Sequence, residues 1–118
     1  MKTYQDFRPE FEEMLDPAKW PIAWLDRQIA LGEATAFCDD AACIIATLRQ
    51  FPGGAIEVHG LCACGDLPVI KALIVQAEEW GMANGATIAS IASRRGWARA
   101  LSSDGYVETQ VTIEKGLI

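Results

Sequence analysis

Apolar residues recur at two different periods along this chain, and the change of period divides it. Phe7, Phe11, Met14 and Leu15 fall at helical spacing until Asp16-Pro17 breaks the pattern. A second helical stripe follows Pro21, where Ile22, Leu25 and Ile29 share one face while Asp26, Arg27 and Gln28 lie largely off it. Gly32 is the natural stop. Residues 6–31 therefore read as helical with one break, and 1–33 as a helical N-terminal part.

From Ala34 the period shortens to that of strands. Ala34–Cys38 and Ala42–Leu48 are short strand-like runs on either side of Asp39-Asp40, a hairpin turn, and Phe51-Pro-Gly-Gly54 is a second turn. Ala55–Ala63 is a third strand. Strict alternation would put Ile56, Val58, Gly60 and Cys62 on one side and Glu57, His59 and Leu61 on the other. Next comes the strongest helical stripe, Val69, Ile70, Leu73, Ile74, Ala77 and Trp80, with Lys71, Gln76, Glu78 and Glu79 toward water. Asp66 can cap this helix, Pro68 is tolerated in its first turn, and Asn84-Gly85 ends it, which places it at about 67–84. Ala86–Ala92 is a small-residue strand and Gly96–Ser103 a short helix stopped by Asp104-Gly105. Val107, Thr109, Val111 and Ile113 alternate with Tyr106, Glu108, Gln110 and Thr112, which predicts a last strand. Residues 34–118 thus read as a mixed α/β sheet with its longest helix in the middle, in one domain of 1–118.

Composition narrows the setting. With 118 residues, 51% of them apolar, the chain suits one core, and no apolar run approaches the roughly 18 residues of a membrane span. MKTYQDFRPEFEE turns acidic where a signal peptide needs an apolar centre, so a cytoplasmic protein is expected. Sixteen acids oppose ten bases, for a formal charge of −6, and nine of those acids lie within residues 1–40. Such a balance argues against nucleic acid as a partner, because phosphate binding needs clustered Lys and Arg. The one basic cluster is Arg94, Arg95 and Arg99, which reads as a solvated rim or as a contact for an anion or acidic partner.

The stretch Ile56–Leu117 resembles the GNAT superfamily of N-acetyltransferases. The resemblance rests on Val58-His59 in the third strand and on the helix Val69–Asn84 closed by Gly85. It also rests on strand Thr87–Ala92, on Trp97-Ala-Arg-Ala-Leu-Ser-Ser-Asp-Gly-Tyr106, and on Lys115-Gly116-Leu117, similar to a K-x-L ending. It covers about half the chain. It implies a mostly antiparallel, splayed sheet with flanking helices, here lacking the family's first strand, and acetyl-CoA inserted between the central strands. By the same resemblance Glu57 is the candidate catalytic base acting through water, and Leu61, Ala63, Gly65, Asp66 and Leu67 are the candidate acetyl-CoA-binding residues.

The family's phosphate loop, [R/Q]-x-x-G-x-[G/A], is not reproduced. Aligned on Val58, Ala63, Asp66 and Pro68 occupy its key positions; aligned on the long helix, Gly65, Pro68 and Ile70 do. No Lys or Arg stands between Leu61 and Ile70, Pro68 removes an amide donor, and Asp66 adds a negative charge where a diphosphate would sit. The family's usual acid, a Tyr, is Leu101 here, its accompanying Asn falls near Arg95, and Tyr106 takes the place of the closing aromatic. Two readings follow. In the first, the acetyl-CoA site is degraded, no cofactor is bound, and the domain is a non-catalytic contact module for a protein partner, homo-oligomer included. Its small size also resembles GNAT-like phage proteins, some associated with virions, which would make that partner a phage structural protein. In the second, the chain is an active N-acetyltransferase that uses acetyl-CoA.

The remaining chemistry is sparse. His59, Cys62 and Cys64 invite a metal reading, but alternation along a strand would point the histidine away from the two thiols, so no metal is expected. The four cysteines read as reduced thiols, with Cys38 and Cys43 as potential neighbours across the hairpin turn. A Cys–His nucleophile using His59 lacks any orienting residue signature. Trp20 and Trp24 read as helix anchors or as part of a partner surface.

Overall fold

A four-stranded sheet in the order β1-β2-β3-β4 separates two layers of helix. In this computed structural model every residue is described except Arg94 and the side chain of Arg95. The elements are α1 (Tyr4–Met14), α2 (Ile22–Ala30), β1 (Thr35–Cys38), β2 (Ala42–Gln50) and β3 (Ile56–Gly65). They continue with α3 (Leu67–Ala83), β4 (Ile88–Ile91), α4 (Arg95–Ala100) and a 3-10 turn at Ser102–Asp104. β1, β2 and β3 are antiparallel neighbours, and β4 joins β3 in parallel after the α3 crossover. The mixed α/β architecture expected from the sequence is the one observed.

Alternation along the strands sorts the core. Phe37, Ala42, Ile44, Ala46, Ile56, Val58 and Ala63 meet Ile70, Leu73, Ile74 and Ala77 of α3 on one face. Gly81 lets this helix approach the sheet. A Cβ at that position would stand 2.7 Å from Val58 Cβ, closer than two carbons tolerate. On the other face Cys43, Ile45 and Cys64 are covered by Tyr4, Phe7 and Phe11 of α1 and by Leu25 of α2. The two covering helices are tied by Asp26, which the sequence places off the apolar stripe. Its carboxylate accepts from Arg8 Nε at 2.9 and 3.0 Å, from Arg8 Nη2 at 2.8 Å and from the Tyr4 hydroxyl at 2.8 Å. The Arg8 guanidinium holds the Asp26 carboxyl below the usual carboxylate range.

Two expectations are corrected. Residues 107–118 form no strand: beyond Tyr106 every residue is exposed, and Val107, Val111 and Ile113 face water. The period-2 pattern is present, but a strand is made by its neighbour's hydrogen bonds, and this segment pairs with none of the described strands. The other correction concerns β3. Ile45 pairs with Cys62 while the adjacent Ala46 pairs with Gly60, so Leu61 is the extra residue of a β-bulge. The bulge reverses the alternation beyond it. Leu61, Cys62 and Cys64 all pack on the α1–α2 face, whereas Val58 and Ala63 pack on the α3 face.

Replacing Gly81 by alanine is expected to destabilise the fold by about 1–3 kcal/mol through overpacking against Val58. Urea unfolding of Gly81→Ala beside the parent checks this. A midpoint unchanged at constant slope would mean that α3 does not seat on Val58 as described.

Candidate acetyl-CoA groove and active site

β3 is paired with β4 over only four of its ten residues. Among the described residues β3 and β4 are in register from Glu57↔Ile88 to Gly60↔Ile91, and β3 then runs on for five residues to Gly65. From Leu61 onward the β4-facing edge of β3 therefore has no strand beside it, among the described residues. The bulge at Leu61 lies just past that point of separation and adds local twist where the strands part. The opening leads to a cleft of about 410 Å³ between the start of α3 and α4, lined by Gly65, Leu67, Ile70, Gly96, Trp97 and Ala100.

The candidate cofactor-binding residues lie along this line. Leu61 and Ala63 are on the unaccompanied half of β3, and Gly65 turns the chain toward α3 at φ 110°. That conformation suits glycine, and the Ala41 carbonyl with Ala42 presses against the place a Cβ would fill. Asp66 stands at the N-cap position, but its side chain makes no capping hydrogen bond. Its own N–H is taken by the Ala41 carbonyl at 3.0 Å, and the Ile70 N–H by the Asp66 carbonyl at 2.9 Å. With Pro68 lacking a donor, the first-turn N–H groups left without helical partners are those of Leu67 and Val69. Lys71, the nearest cation along α3, is turned to Asp104 at 3.1 Å. This helix start therefore offers two first-turn amides, with the Lys71 ammonium paired to Asp104. Arg99 of α4 is exposed, and Arg94 lies outside the described residues.

Where β3 and β4 are still paired, β3 carries two buried polar side chains. Glu57 is 6% exposed, and its Oε1 accepts from Arg49 Nε at 2.8 Å and Arg49 Nη2 at 2.5 Å across the β2–β3 pair. Two residues on, His59 is buried, its Nδ1 2.8 Å from Ser90 Oγ and 3.9 Å from Glu57 Oε1. Burial lowers the His59 pKa, Arg49 lowers it further, and Glu57 opposes them. His59 and Ser90 form the last-but-one β3–β4 pair, so the imidazole sits where the strands begin to separate. The sequence marks Glu57 as a candidate but shows neither its ties to Arg49 and His59 nor Ser90. The only signal for Arg49 was its position across a hairpin from Glu57, which required the register.

The other sequence candidates are accounted for. Leu101 is buried in the α3-side core. Tyr106 is half-buried and donates its hydroxyl hydrogen to Glu78 Oε2 at 2.5 Å, a tie between α3 and the segment after α4. Because of the bulge, Cys62 and Cys64 do not point away from the face of His59 as strict alternation requires. Even so, no group of three or more His, Cys, Asp or Glu among the described residues is arranged to hold a metal ion. Trp20 and Trp24 contact each other at 5.1 Å between ring centroids, with Trp20 half exposed. No helix among the described residues is long and apolar enough to cross a membrane.

The neutral His59 has a thermodynamic consequence. Its folded pKa lies below the ordinary 6.5, so the unfolded chain binds the proton more readily. The stability this contributes is full above the unfolded value and is lost as pH falls toward the folded one. Between about pH 7 and about pH 5 the parent should lose more stability than His59→Gln, measured by denaturant midpoints at several pH values. Parallel curves for the two proteins would show that His59 is as easily protonated folded as unfolded.

Neither a protein-family model nor a curated protein sequence matches this chain. Solved structures do. An acetyltransferase of Trypanosoma brucei superposes over 97% of this chain and 90% of its own, with a TM-score of 0.67 at 14% identity. A predicted acetyltransferase of Clostridium acetobutylicum, crystallised with acetyl-CoA, covers 97% of this chain and 84% of its own, with a TM-score of 0.60 at 11% identity. Glucosamine-6-phosphate N-acetyltransferase of Arabidopsis thaliana covers 98% and 91%, with a TM-score of 0.61 at 9% identity. The fold of this chain is that of the GNAT acetyltransferases.

Proposed function

We propose that this chain binds acetyl-CoA in the opening between β3 and β4 and transfers its acetyl group to an amine presented beside Glu57 and His59. The observation that carries the reading is the separation of the two strands after Gly60 and Ile91, immediately before the bulge at Leu61. Five residues at about 3.3 Å each make that open edge about 16 Å long, comparable to an extended pantetheine arm. The backbone groups of Leu61 and Ala63 suit the amides of such an arm, as the edge of a strand suits another strand. Leu67 and Val69 supply first-turn amides for the diphosphate, and Gly96 and Trp97 wall the cleft opposite.

Acetyl-CoA supplies an activated acyl thioester, and this chain must supply a neutral amine and a place for its proton. His59 is suited to accept that proton: burial and Arg49 keep its imidazole neutral, and Ser90 fixes the ring through Nδ1. Glu57, tied to Arg49, is held 3.9 Å from the same ring and would stabilise the imidazolium once formed. Glu57 then acts on the proton through His59.

A second reading, a non-catalytic contact module for a protein partner, is favoured by two features. No cation lies between Leu61 and Ile70, and Lys71 is committed to Asp104. The alternating tail 107–113 lies exposed while β4 ends the sheet, a combination suited to strand addition by a partner, a second copy or a phage structural protein.

Titration calorimetry with acetyl-CoA, followed by mass-spectrometric detection of acetylated product across a panel of small amines, separates the two readings. Binding in the micromolar range with turnover is expected. His59→Ala should then lower kcat by about a hundredfold or more while leaving acetyl-CoA affinity within a few-fold. Glu57→Gln should lower kcat less and alter its pH profile. Absence of heat at millimolar acetyl-CoA would overturn the catalytic reading and leave the contact module.

A further inference from the structure

We infer that Cys38 and Cys43 form a dithiol site that closes to a cross-strand disulfide on exchange with a small disulfide of the glutathione class. The pair flanks the β1–β2 turn, and its sulfurs already lie 2.9 Å apart. The register makes the two residues direct partners, Cys38↔Cys43. The turn between them is closed by the Asp39 N–H donating to the Ala42 carbonyl at 2.9 Å. Because hydrogen-bonded and non-hydrogen-bonded pairs alternate, Cys38↔Cys43 is of the non-hydrogen-bonded kind. There the Cα atoms approach to about 4.5 Å and the side chains are closest, within the separation a disulfide bridges.

The same alternation sets the side chains of the competing pair farther apart, and it is the Cys38 sulfur that the Cys43 sulfur meets. A strand residue sends its N–H and C=O to one side, so Cys43, unbonded toward β1, bonds toward β3. Cys43↔Cys64 is therefore the wider, hydrogen-bonded pair, although Cys64 is also buried on this face. Cys62 is displaced by the bulge and pairs with Ile45.

The order of events follows from access. Cys38 lies on the edge strand β1 and is half-buried, whereas Cys43 is fully buried beneath α1, where burial raises its thiol pKa. Cys38, as thiolate, attacks one sulfur of the small disulfide, forming a mixed disulfide and releasing one thiolate. Cys43 then gives up its proton and its sulfur attacks that of Cys38, expelling the second thiolate. Two cysteines are oxidised, one small disulfide is reduced, and both hydrogens end on the released thiols. Burial shelters Cys43 from bulk oxidant but not from a sulfur already in contact with it.

The bond would staple the turn that braces the candidate groove. Ala41, inside the closed loop, accepts the Asp66 N–H at 3.0 Å, and Ala41 and Ala42 press on Gly65. Oxidation therefore fixes the hairpin against which α3 begins. The inference rests on the β1–β2 hairpin alone, and its test requires no acetyl-CoA.

The full chain, reduced and then incubated with glutathione disulfide, is alkylated and digested with trypsin. Residues 28–49 contain Cys38 and Cys43, and residues 50–71 contain Cys62 and Cys64, so the two pairs separate cleanly. The expected result is a 28–49 peptide that has lost two hydrogens and takes no alkyl group, beside a 50–71 peptide alkylated twice. Cys38→Ser and Cys43→Ser should each abolish that loss, and the double variant Cys62→Ser with Cys64→Ser should retain it. Full alkylation of 28–49 in the folded parent, or a link between the two peptides, would overturn the assignment. Circular dichroism of each variant, unchanged from the parent, shows that the fold persists while the chemistry is read.

Discussion

Everything about this site depends on β3 being held along only part of its length. From Glu57 to Gly60 it is flanked on both edges, by β2 and by β4, and its backbone hydrogen bonds are internal. Beyond Leu61 it keeps β2 but loses β4, while α3 continues to cover one face and α1 the other. A buried strand with an open edge is costly unless its N–H and C=O groups find partners. The release of β4 thus opens the groove and leaves backbone groups along that edge of β3 available to water or to an extended ligand. The bulge turns the strand at this place and points Leu61 and Cys62 together into the α1–α2 core.

Several described ion pairs fasten one element to another. Arg8 and Asp26 join α1 to α2, Arg49 and Glu57 span β2 and β3, and Lys71 and Asp104 link α3 to the turn after α4. Of these, the Arg49–Glu57 pair has one partner almost wholly buried, so it is the least screened by solvent. It lies beside His59, whose Nδ1 is 3.9 Å from Glu57 Oε1. The acidic surplus of residues 1–40 is mostly on exposed positions such as Glu12 and Glu13, whereas Asp26 is drawn into the contact between α1 and α2.

The elements whose side chains bury a single stripe or face were legible from the chain. The α3 stripe of Ile70, Leu73, Ile74 and Ala77 packs as its spacing predicts, and the hairpin turn at Asp39-Asp40 joins β1 to β2. The ends of β1 to β4 differ from the pattern by at most two residues, because hydrogen bonding by neighbours and not side-chain pattern sets strand ends. Glu57 and His59 were legible as polar residues in a strand. Their ties to Arg49 and Ser90 were not, because those arise from register between segments 8 and 31 residues apart. The tail 107–113 shows the opposite case: its alternation is strand-like, yet it forms no ladder.

What the sequence determined by itself is the periodicity: which stretches bury a helical stripe, which bury one strand face, and where Gly and Pro interrupt them. It also determined the want of cations before α3, since composition needs no fold to be read. The tertiary structure alone decided that β4 parts from β3 after Gly60, and that one extra residue at Leu61 reverses the faces of Cys62 and Cys64. It also decided that Cys38 touches Cys43. The physical reason is that period is a property of neighbours along the chain, whereas register and strand separation are settled by hydrogen bonds and packing between distant segments.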